Sequence, residues 1–182
     1  RENVEALKRA GEVVFFSPLR DKSLPEADMV YFPGGYPELH LAELAANEGM
    51  RQSVRKYCEN GGRVLAECGG MMYLCDTITD GDGKVYPMAG VLKQGATMEQ
   101  MKLKLGYREV RVNGQRIRGH EFHYSRILPT NEKIPVIGTI YNAKDMVVDT
   151  PVYTYKNVLA SYIHFYWGEC GIDHFLMLMS QK

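Results

Sequence analysis

The amino-acid sequence predicts an α/β domain with a mixed, mostly parallel sheet, helices on both faces and an antiparallel extension. In the first half, short continuous apolar runs that end at proline or glycine alternate with helical patterns. In the second half, apolar and polar residues alternate around the turn signal Asn113-Gly114, which is typical of a hairpin. A chain of 182 residues is long enough for one domain with a full core.

Composition excludes several classes of function. The 22 basic and 22 acidic residues give zero net charge, which argues against a nucleic-acid partner. No apolar run is long enough to cross a bilayer, and the N-terminus has no signal-peptide pattern. The four cysteines form no C-x-x-C pair, so neither a disulfide framework nor a zinc site is indicated. We therefore expect a cytoplasmic protein with no membrane partner and no metal.

The first half predicts helices and buried strands in alternation. In order they are a helix from Glu2 to Ala10, strands at Glu12 to Phe16 and Asp28 to Phe32, a helical region from Pro37 to Cys58 broken at Asn47 to Gly49, and a strand at Val64 to Ala66. An α/β domain normally leads with a strand. We therefore expect residues 1–182 to be one domain of a longer chain, lacking its first strand.

The second half predicts mostly strands. They are a long strand from Met98 to Val112 with a β-bulge near Gly106, a return strand from Gln115 to Ile127, strands at Val136 to Tyr141, Val152 to Tyr155 and Val158 to Ile163, and a final helix from Ile172 to Met179.

The segment Val64-Leu65-Ala66-Glu67-Cys68-Gly69-Gly70 has the pattern of a nucleophile elbow, in which a reactive side chain sits on a tight strand-to-helix turn. Such a turn needs small neighbours, and Ala66 and Gly70 are small. The helix start is expected to favour a thiolate and to stabilise an oxyanion. The alternative is a buried structural cysteine.

A second glycine pair, Gly34-Gly35, also follows a predicted strand, so both pairs are expected at the carboxyl edge of the sheet as an oxyanion site. A cysteine nucleophile needs a base, and His164 lies at a later strand end. His40 and His174 are expected to be surface or packing residues. His123 shares a strand face with Glu121 and His120 points the other way, so this strand supplies too few ligands for zinc.

Five motifs carry a family resemblance. They are Pro33-Gly34-Gly35-Tyr36-Pro37-Glu38, Ala66 to Leu74, Gly106-Tyr107-Arg108, Gly119-His120-Glu121-Phe122-His123-Tyr124-Ser125 and Ala160-Ser161-Tyr162-Ile163-His164. Over nearly the whole chain they resemble the C-terminal glutaminase domain of the cobyrinic acid a,c-diamide synthases, which are class I (triad) glutamine amidotransferases. The resemblance implies a flavodoxin-like domain that hydrolyses glutamine and passes ammonia to a synthetase domain of the same chain.

The resemblance also implies residue roles. Cys68 would be the nucleophile, His164 the base, and the backbone N–H groups of Gly35 and Gly69 the oxyanion hole. The glutamine pocket would be lined by Gly34, Tyr36, His120, Glu121, His123 and Tyr124. Many class I glutaminases orient the histidine with a glutamate two residues later, where this chain has Tyr166. Either Glu169, a backbone carbonyl or no group takes that place.

No cofactor is implied for this domain. ATP, Mg²⁺ and the corrin substrate, cobyrinic or hydrogenobyrinic acid, would be bound by an N-terminal synthetase domain, since the chain has no G-x-x-x-x-G-K-[ST] motif. The alternatives are the glutaminase domain of a cobyric acid synthase or of a cell-wall lipid II amidotransferase, and a non-catalytic docking module on the same fold. Intact Cys68 and His164 argue against the docking module.

Overall fold

The computed structural model describes residues 2–168 and 171–180, and three four-stranded sheets organise this part of the chain. The helices are α1 (Glu2–Ala10), α2 (Leu41–Ala46), α3 (Glu48–Glu59), α4 (Gly69–Leu74) and α5 (Asp173–Ser180), with a short 3-10 helix at Pro37–Leu39. The strands are β1 (Met29–Phe32), β2 (Arg63–Glu67), β3 (Cys75–Thr79), β4 (Val85–Pro87), β5 (Leu92–Thr97), β6 (Lys104–Val112), β7 (Gln115–His123), β8 (Arg126–Ile127), β9 (Thr139–Tyr141), β10 (Val152–Tyr155), β11 (Val158–Ser161) and β12 (Ile163–Phe165).

The first sheet has the strand order β1-β2-β11-β10. Its strands β1, β2 and β11 are parallel, and β10 is antiparallel to β11. Ala66 lies between Phe32 and Ala160 in the register, so three strands end at the same edge. That edge is where a parallel sheet places its ligands.

Apolar clusters cover both faces of the first sheet. Val64 and Ala66 of β2 pack into one cluster with residues of α2, α3 and α4, while Leu65 points into the other cluster with α1 and α5. The alternation follows from the two-residue period of a strand. The predicted α/β fold with mixed sheets and helices on both faces is confirmed.

The other two sheets extend this layer. The second has the order β12-β7-β6-β9 and is antiparallel throughout, and the third has the order β4-β3-β5-β8. The chain passes from the first sheet to the second at Tyr162, the residue between β11 and β12. The strand predicted over Val158 to Ile163 is thus two strands in two sheets. Within the described residues, no helix is both long and apolar enough to span a bilayer.

Several local predictions are confirmed. The helical region breaks at Asn47, whose side chain accepts a hydrogen bond from the backbone N–H of Met50 and so caps α3. Asn113 and Gly114 both have positive φ, 51° and 75°, and join β6 to β7 in the expected hairpin.

The prediction of a strand at Glu12 to Phe16 is wrong. This segment has no regular structure, and the side chains of Val14 and Phe15 are 55% and 75% exposed. A strand forms only beside a hydrogen-bonding neighbour, which an apolar run does not itself supply. Here a cleft of about 1520 Å³ separates the segment from the outer edge of β1.

The hairpin strands also differ from their predicted bounds. β6 begins at Lys104, not at Met98, and its pairing with β7 runs without interruption to Val112, so the predicted bulge near Gly106 is absent. Gly106 instead has a φ of 148°, a backbone conformation that glycine adopts with little strain and other residues do not. The third sheet was not predicted, because its strands are short and combine buried with exposed residues.

We expect Gly70→Ala to destabilise the fold. A Cβ at Gly70 would lie 2.5 Å from the backbone oxygen of Phe32, and buried backbone at the end of β1 cannot move aside. Overpacking of this kind reduces the free energy of unfolding by about 1–3 kcal/mol, which urea unfolding measures. The matched control is Gly81→Ala, where the new Cβ meets nothing within 4 Å. Equal effects in both variants would contradict the close approach at Gly70.

Candidate active site

Cys68 occupies the turn between β2 and α4. Its backbone has φ of 49°, a strained value for a residue other than glycine. Its N–H donates to the Ser161 carbonyl at 2.7 Å, and its own carbonyl accepts the Met72 N–H at 3.0 Å, which begins the helix. The predicted arrangement of strand, cysteine and helix is therefore present, with the geometry of a nucleophile elbow.

The two predicted glycine pairs lie against each other. A Cβ on Gly69 would lie 2.6 Å from the carbonyl oxygen of Gly35, a distance no side chain can accept. Gly35 has no heavy atom within 4 Å of its own Cβ position, so one side of the pair stays open. Backbone of Gly35 and Gly69 thus meets beside Cys68.

Cys68 and His164 approach the same stretch of β7. The Cys68 thiol donates to the Phe122 carbonyl, with 3.8 Å between sulfur and oxygen. His164 lies opposite His120 in the antiparallel pairing of β12 with β7. His120 and Phe122 are two residues apart, about 7 Å along a strand. The structure therefore brings the predicted nucleophile and base into one neighbourhood, although the hydrogen bond of the thiol goes to the carbonyl.

The His164 ring fits between backbone and a second histidine. A Cβ at Gly34 would lie 2.1 Å from its Cε1 atom, so only glycine leaves space for the ring. On another side the ring stacks on His120, with centroids 4.9 Å apart and an interplanar angle of 13°. Burial lowers the pKa of His164, and the neighbouring His120 and His123 lower it further. A neutral ring at pH 7 can accept a proton.

Burial shifts the pKa of Cys68, the predicted nucleophile, in the direction opposite to that of His164. It raises the pKa of the Cys68 thiol to about 11; the Gly69 N–H acts against this shift, while Glu38, Glu67 and Glu121 add to it. The expected thiolate stabilisation is therefore wrong for this geometry, because α4 has only six residues and its favourable end is outweighed by burial and carboxylate charge. Cys68 rests as a thiol.

Glu121 is the centre of a buried polar cluster on β7, and 1% of its surface is exposed. Its carboxylate accepts hydrogen bonds from Arg108 at 2.7 Å, Thr150 at 2.8 Å and His123 at 2.7 Å, and Lys104 lies 3.6 Å away. Burial alone would raise the pKa of Glu121, but these hydrogen bonds and charges lower it to about 2. The cluster fixes β7, the strand that both Cys68 and His164 contact.

His123 joins this cluster with both ring nitrogens. Nδ1 lies 2.7 Å from the Ser125 carbonyl oxygen, and Nε2 lies 2.7 Å from the Glu121 carboxylate. Both partners are acceptors, so the ring satisfies them only when both nitrogens carry a proton. It also stacks on Tyr162 with centroids 3.5 Å apart. His123 and Glu121 share the inward face, as predicted, and they do not border the cleft.

The remaining predicted site residues divide between the cleft and the surface. Gly34, Tyr36 and His120 line the cleft together with His164, whereas Tyr124 lies outside it with 44% of its surface exposed. His40 and His174 were expected at the surface or in packing. His40 is exposed and directly precedes α2, and His174 lies within α5. Residues 2–168 and 171–180 contain no group of three or more metal-binding side chains.

No carboxylate among the described residues hydrogen-bonds to the His164 ring. A Cβ at Gly168 would lie 2.3 Å from the hydroxyl of Tyr166, so the Tyr166 side chain folds over Gly168, and 45% of it is exposed. Glu169, the other predicted candidate, lies outside the described residues.

The sequence reasoning missed one residue of this region, Glu67. Its carboxylate is buried directly before Cys68 and accepts the backbone N–H of Phe165 at 2.7 Å. The sequence signal for this residue was an acidic side chain directly after the apolar run Val64 to Ala66, where burial requires hydrogen-bonding partners.

The Glu121 cluster gives the protein a pH-dependent stability. The folded pKa of Glu121, about 2, lies below its ordinary value of 4.5, so its stabilisation is complete above pH 4.5 and is lost as pH falls towards 2. This shift corresponds to about 3 kcal/mol. We expect Glu121→Gln to lower the free energy of unfolding at pH 7 and to approach the wild type at pH 3, as measured by urea unfolding.

Glu132→Gln is the matched control, because Glu132 is exposed. It should change the free energy of unfolding little at either pH. A constant difference between the Glu121→Gln variant and the wild type from pH 7 to pH 3 would contradict the assignment.

Known proteins share both the sequence and the fold. Residues 2–171 match the CobB/CobQ-like glutamine amidotransferase domain. The hydrogenobyrinate a,c-diamide synthase of Pseudomonas aeruginosa is 39% identical over 165 residues, which are 90% of this chain and 37% of that protein. The cobyrinate a,c-diamide synthase of Salmonella typhimurium is 34% identical over 177 residues, 92% of this chain and 39% of that protein. This chain thus spans well under half the length of these relatives.

Two solved structures have a fold similar to that of this chain. A glutamine amidotransferase crystal structure superposes with a TM-score of 0.65 and 26% identity, covering 100% of this chain and 94% of that one. PurLQS from Thermotoga maritima, with a TM-score of 0.58 and 19% identity over 90% of this chain and 80% of that one, shares the fold. The resemblance drawn from the five motifs is confirmed, and the chain belongs to the CobB/CobQ-like glutamine amidotransferase family.

Proposed function

We propose that this domain hydrolyses glutamine through a thioester on Cys68, with His164 as the general base. The observation that carries the proposal is that the Cys68 thiol contacts Phe122 of β7 while His164 lies opposite His120, two residues earlier on the same strand. A structural cysteine would not require a strained φ of 49° or the glycine contacts that surround this one.

The first step transfers a proton and forms a bond. Cys68 rests as a thiol and His164 as a neutral ring, since their pKa values are raised and lowered respectively. The thiol proton therefore moves to His164 as sulfur attacks the side-chain carbonyl carbon of glutamine. The carbonyl oxygen becomes an oxyanion, which the backbone N–H groups of Gly35 and Gly69 stabilise.

The second half of the reaction returns the enzyme to its starting state. The C–N bond breaks as the His164 imidazolium gives its proton to the leaving nitrogen, releasing ammonia. Water, deprotonated by His164, then attacks the thioester carbon, and glutamate leaves as the sulfur takes back the proton. The lowered pKa of His164 makes its imidazolium a stronger acid for the leaving-group step.

The ammonia has a proposed destination. The relatives named above are a,c-diamide synthases, of hydrogenobyrinate in one case and of cobyrinate in the other. We propose that this domain supplies ammonia for the ATP-dependent amidation of carboxylates on a corrin of this class, in cobalamin biosynthesis. ATP, Mg²⁺ and the corrin would bind to a synthetase domain in the same chain.

The proposal includes a strand that precedes Arg1. The outer edge of β1 has no partner strand within the described residues, and the cleft separates it from the apolar side chains of Val14 and Phe15. An additional parallel strand in this cleft would pair with β1 and give the segment from Glu12 to Phe16 the neighbour that it lacks.

Loss of the nucleophile tests the reaction. We expect Cys68→Ala to release no ammonia from glutamine above background, because no thioester can form, in a coupled assay on the full-length protein. Cys58→Ala is the matched control, since Cys58 is also a buried thiol, in α3. Equal ammonia release from the Cys68→Ala variant and the wild type would contradict the proposal.

Extension of the chain tests the added strand. A protein carrying the residues encoded directly upstream of Arg1 should melt at a higher temperature than residues 1–182, because β1 gains hydrogen bonds and Phe15 is buried. Phe15→Ser should then lower the melting temperature of the extended protein much more than that of residues 1–182, where Phe15 is 75% exposed. The same decrease in both proteins would contradict the added strand.

A further inference from the structure

β12 carries His164 and, among the residues that the structure describes, has a strand neighbour on one side only. It pairs with β7 and lies at the end of the second sheet. On its other side, the backbone N–H groups that flank His164 bond to side chains. The N–H of Ile163 donates to the Ser161 hydroxyl at 3.2 Å, and the N–H of Phe165 donates to the Glu67 carboxylate at 2.7 Å.

Glu67 connects three strand ends. It is the last residue of β2 and directly precedes Cys68. One carboxylate oxygen accepts the N–H of Phe165, and the other accepts the hydroxyl of Tyr31 on β1. A single buried side chain thus ties the strand of the nucleophile to that of the base and to a neighbouring strand.

We propose that Glu67 is a positioning residue that holds His164 against Cys68 through the backbone of β12. The inference rests on the proposed Cys68 and His164 chemistry and names the group that orients the base. Glu67 borders the cleft but is only 1% exposed, and its two carboxylate oxygens accept hydrogen bonds from Tyr31 and Phe165, so it acts through Phe165 and not on the substrate.

The energetics argue against a purely structural role. Burial raises the pKa of Glu67 to about 7, even though the hydrogen bonds from Tyr31 and Phe165 lower it. A carboxyl group with a raised pKa favours its protonated form, so ionisation of Glu67 destabilises the fold as pH rises from 4.5 through 7. An apolar residue at the end of this apolar strand would avoid that loss. The hydrogen bonds of Glu67 to Tyr31 and Phe165 therefore serve a purpose other than stability of the fold.

Three variants separate shape from hydrogen bonding. Glu67→Gln keeps both bonds, because its amide oxygen can accept the Phe165 N–H and its amide nitrogen can donate to Tyr31. Glu67→Leu removes both bonds at similar volume. Glu67→Asp keeps the carboxylate but is one methylene shorter, and it replaces the leucine variant if that variant does not fold. Ile140→Ala, a buried change on β9, controls for general loss of stability.

Two readouts distinguish the possible failures. The first is the Cε1–H signal of His164 by NMR, assigned by its loss in His164→Gln. It should move in Glu67→Leu or Glu67→Asp, because the ring leaves Gly34 and His120, and should stay in place in Glu67→Gln and Ile140→Ala. The second is glutamine hydrolysis. In Glu67→Leu or Glu67→Asp, kcat should fall about 100-fold with little change in KM, and in Glu67→Gln it should stay near the wild-type value.

An unmoved His164 signal and an unchanged kcat in the folded Glu67→Leu or Glu67→Asp variant would overturn the inference while leaving the glutaminase intact. A wild type that releases no ammonia would overturn the proposed function instead, and the NMR result would still report whether Glu67 positions the ring.

Discussion

Close approach of backbone at three glycines is the constraint on which the site depends. Gly70 lets α4 lie against the end of β1, Gly69 lets it contact Gly35, and Gly34 leaves room for the ring of His164. Each contact is closer than any Cβ permits. A side chain at one of these positions would separate two of the strand ends. The convergence of the proposed nucleophile, the proposed base and the glycine backbone therefore follows from residues that contribute no side-chain chemistry.

Two buried carboxylates next to this convergence show how environment sets charge. Glu121 has hydrogen bonds from His123, Thr150 and Arg108 and the charge of Lys104 around it, and its pKa falls to about 2. Burial raises the pKa of Glu67 to about 7, because the hydrogen bonds from its neutral donors Tyr31 and Phe165 offset the burial only in part. The cationic partners of Glu121, Arg108 and Lys104, both lie on β6 of the second sheet. Burial raises the pKa of Cys68 to about 11, and the charges of Glu67 and Glu121 add to this shift.

The sequence predicted those features that local chemistry determines. Glycine pairs after apolar runs predicted both strand ends, and the hairpin at Asn113 and Gly114 followed from turn chemistry. Long-range pairing determines the rest. The segment from Glu12 to Phe16 has strand-like composition, but its state depends on whether a neighbour lies in the cleft. The local pattern marks Glu67 as an acidic residue after an apolar run, but its proposed role depends on Phe165, a residue 98 positions away, so that role could not be predicted from the local sequence.

A carboxylate on the catalytic histidine normally does two things, since it orients the ring and makes the ring more basic. In this structure the two effects are separated. In our proposal, orientation comes from the Phe165 backbone held by Glu67 and from the stack on His120, neither of which places negative charge on the ring. Burial, followed by the neighbouring His120 and His123, lowers the pKa of His164. In the reaction that we propose, such a ring takes a proton from the thiol less readily but gives it to the leaving nitrogen more readily, so the arrangement favours the ammonia-releasing half of that reaction over the attack.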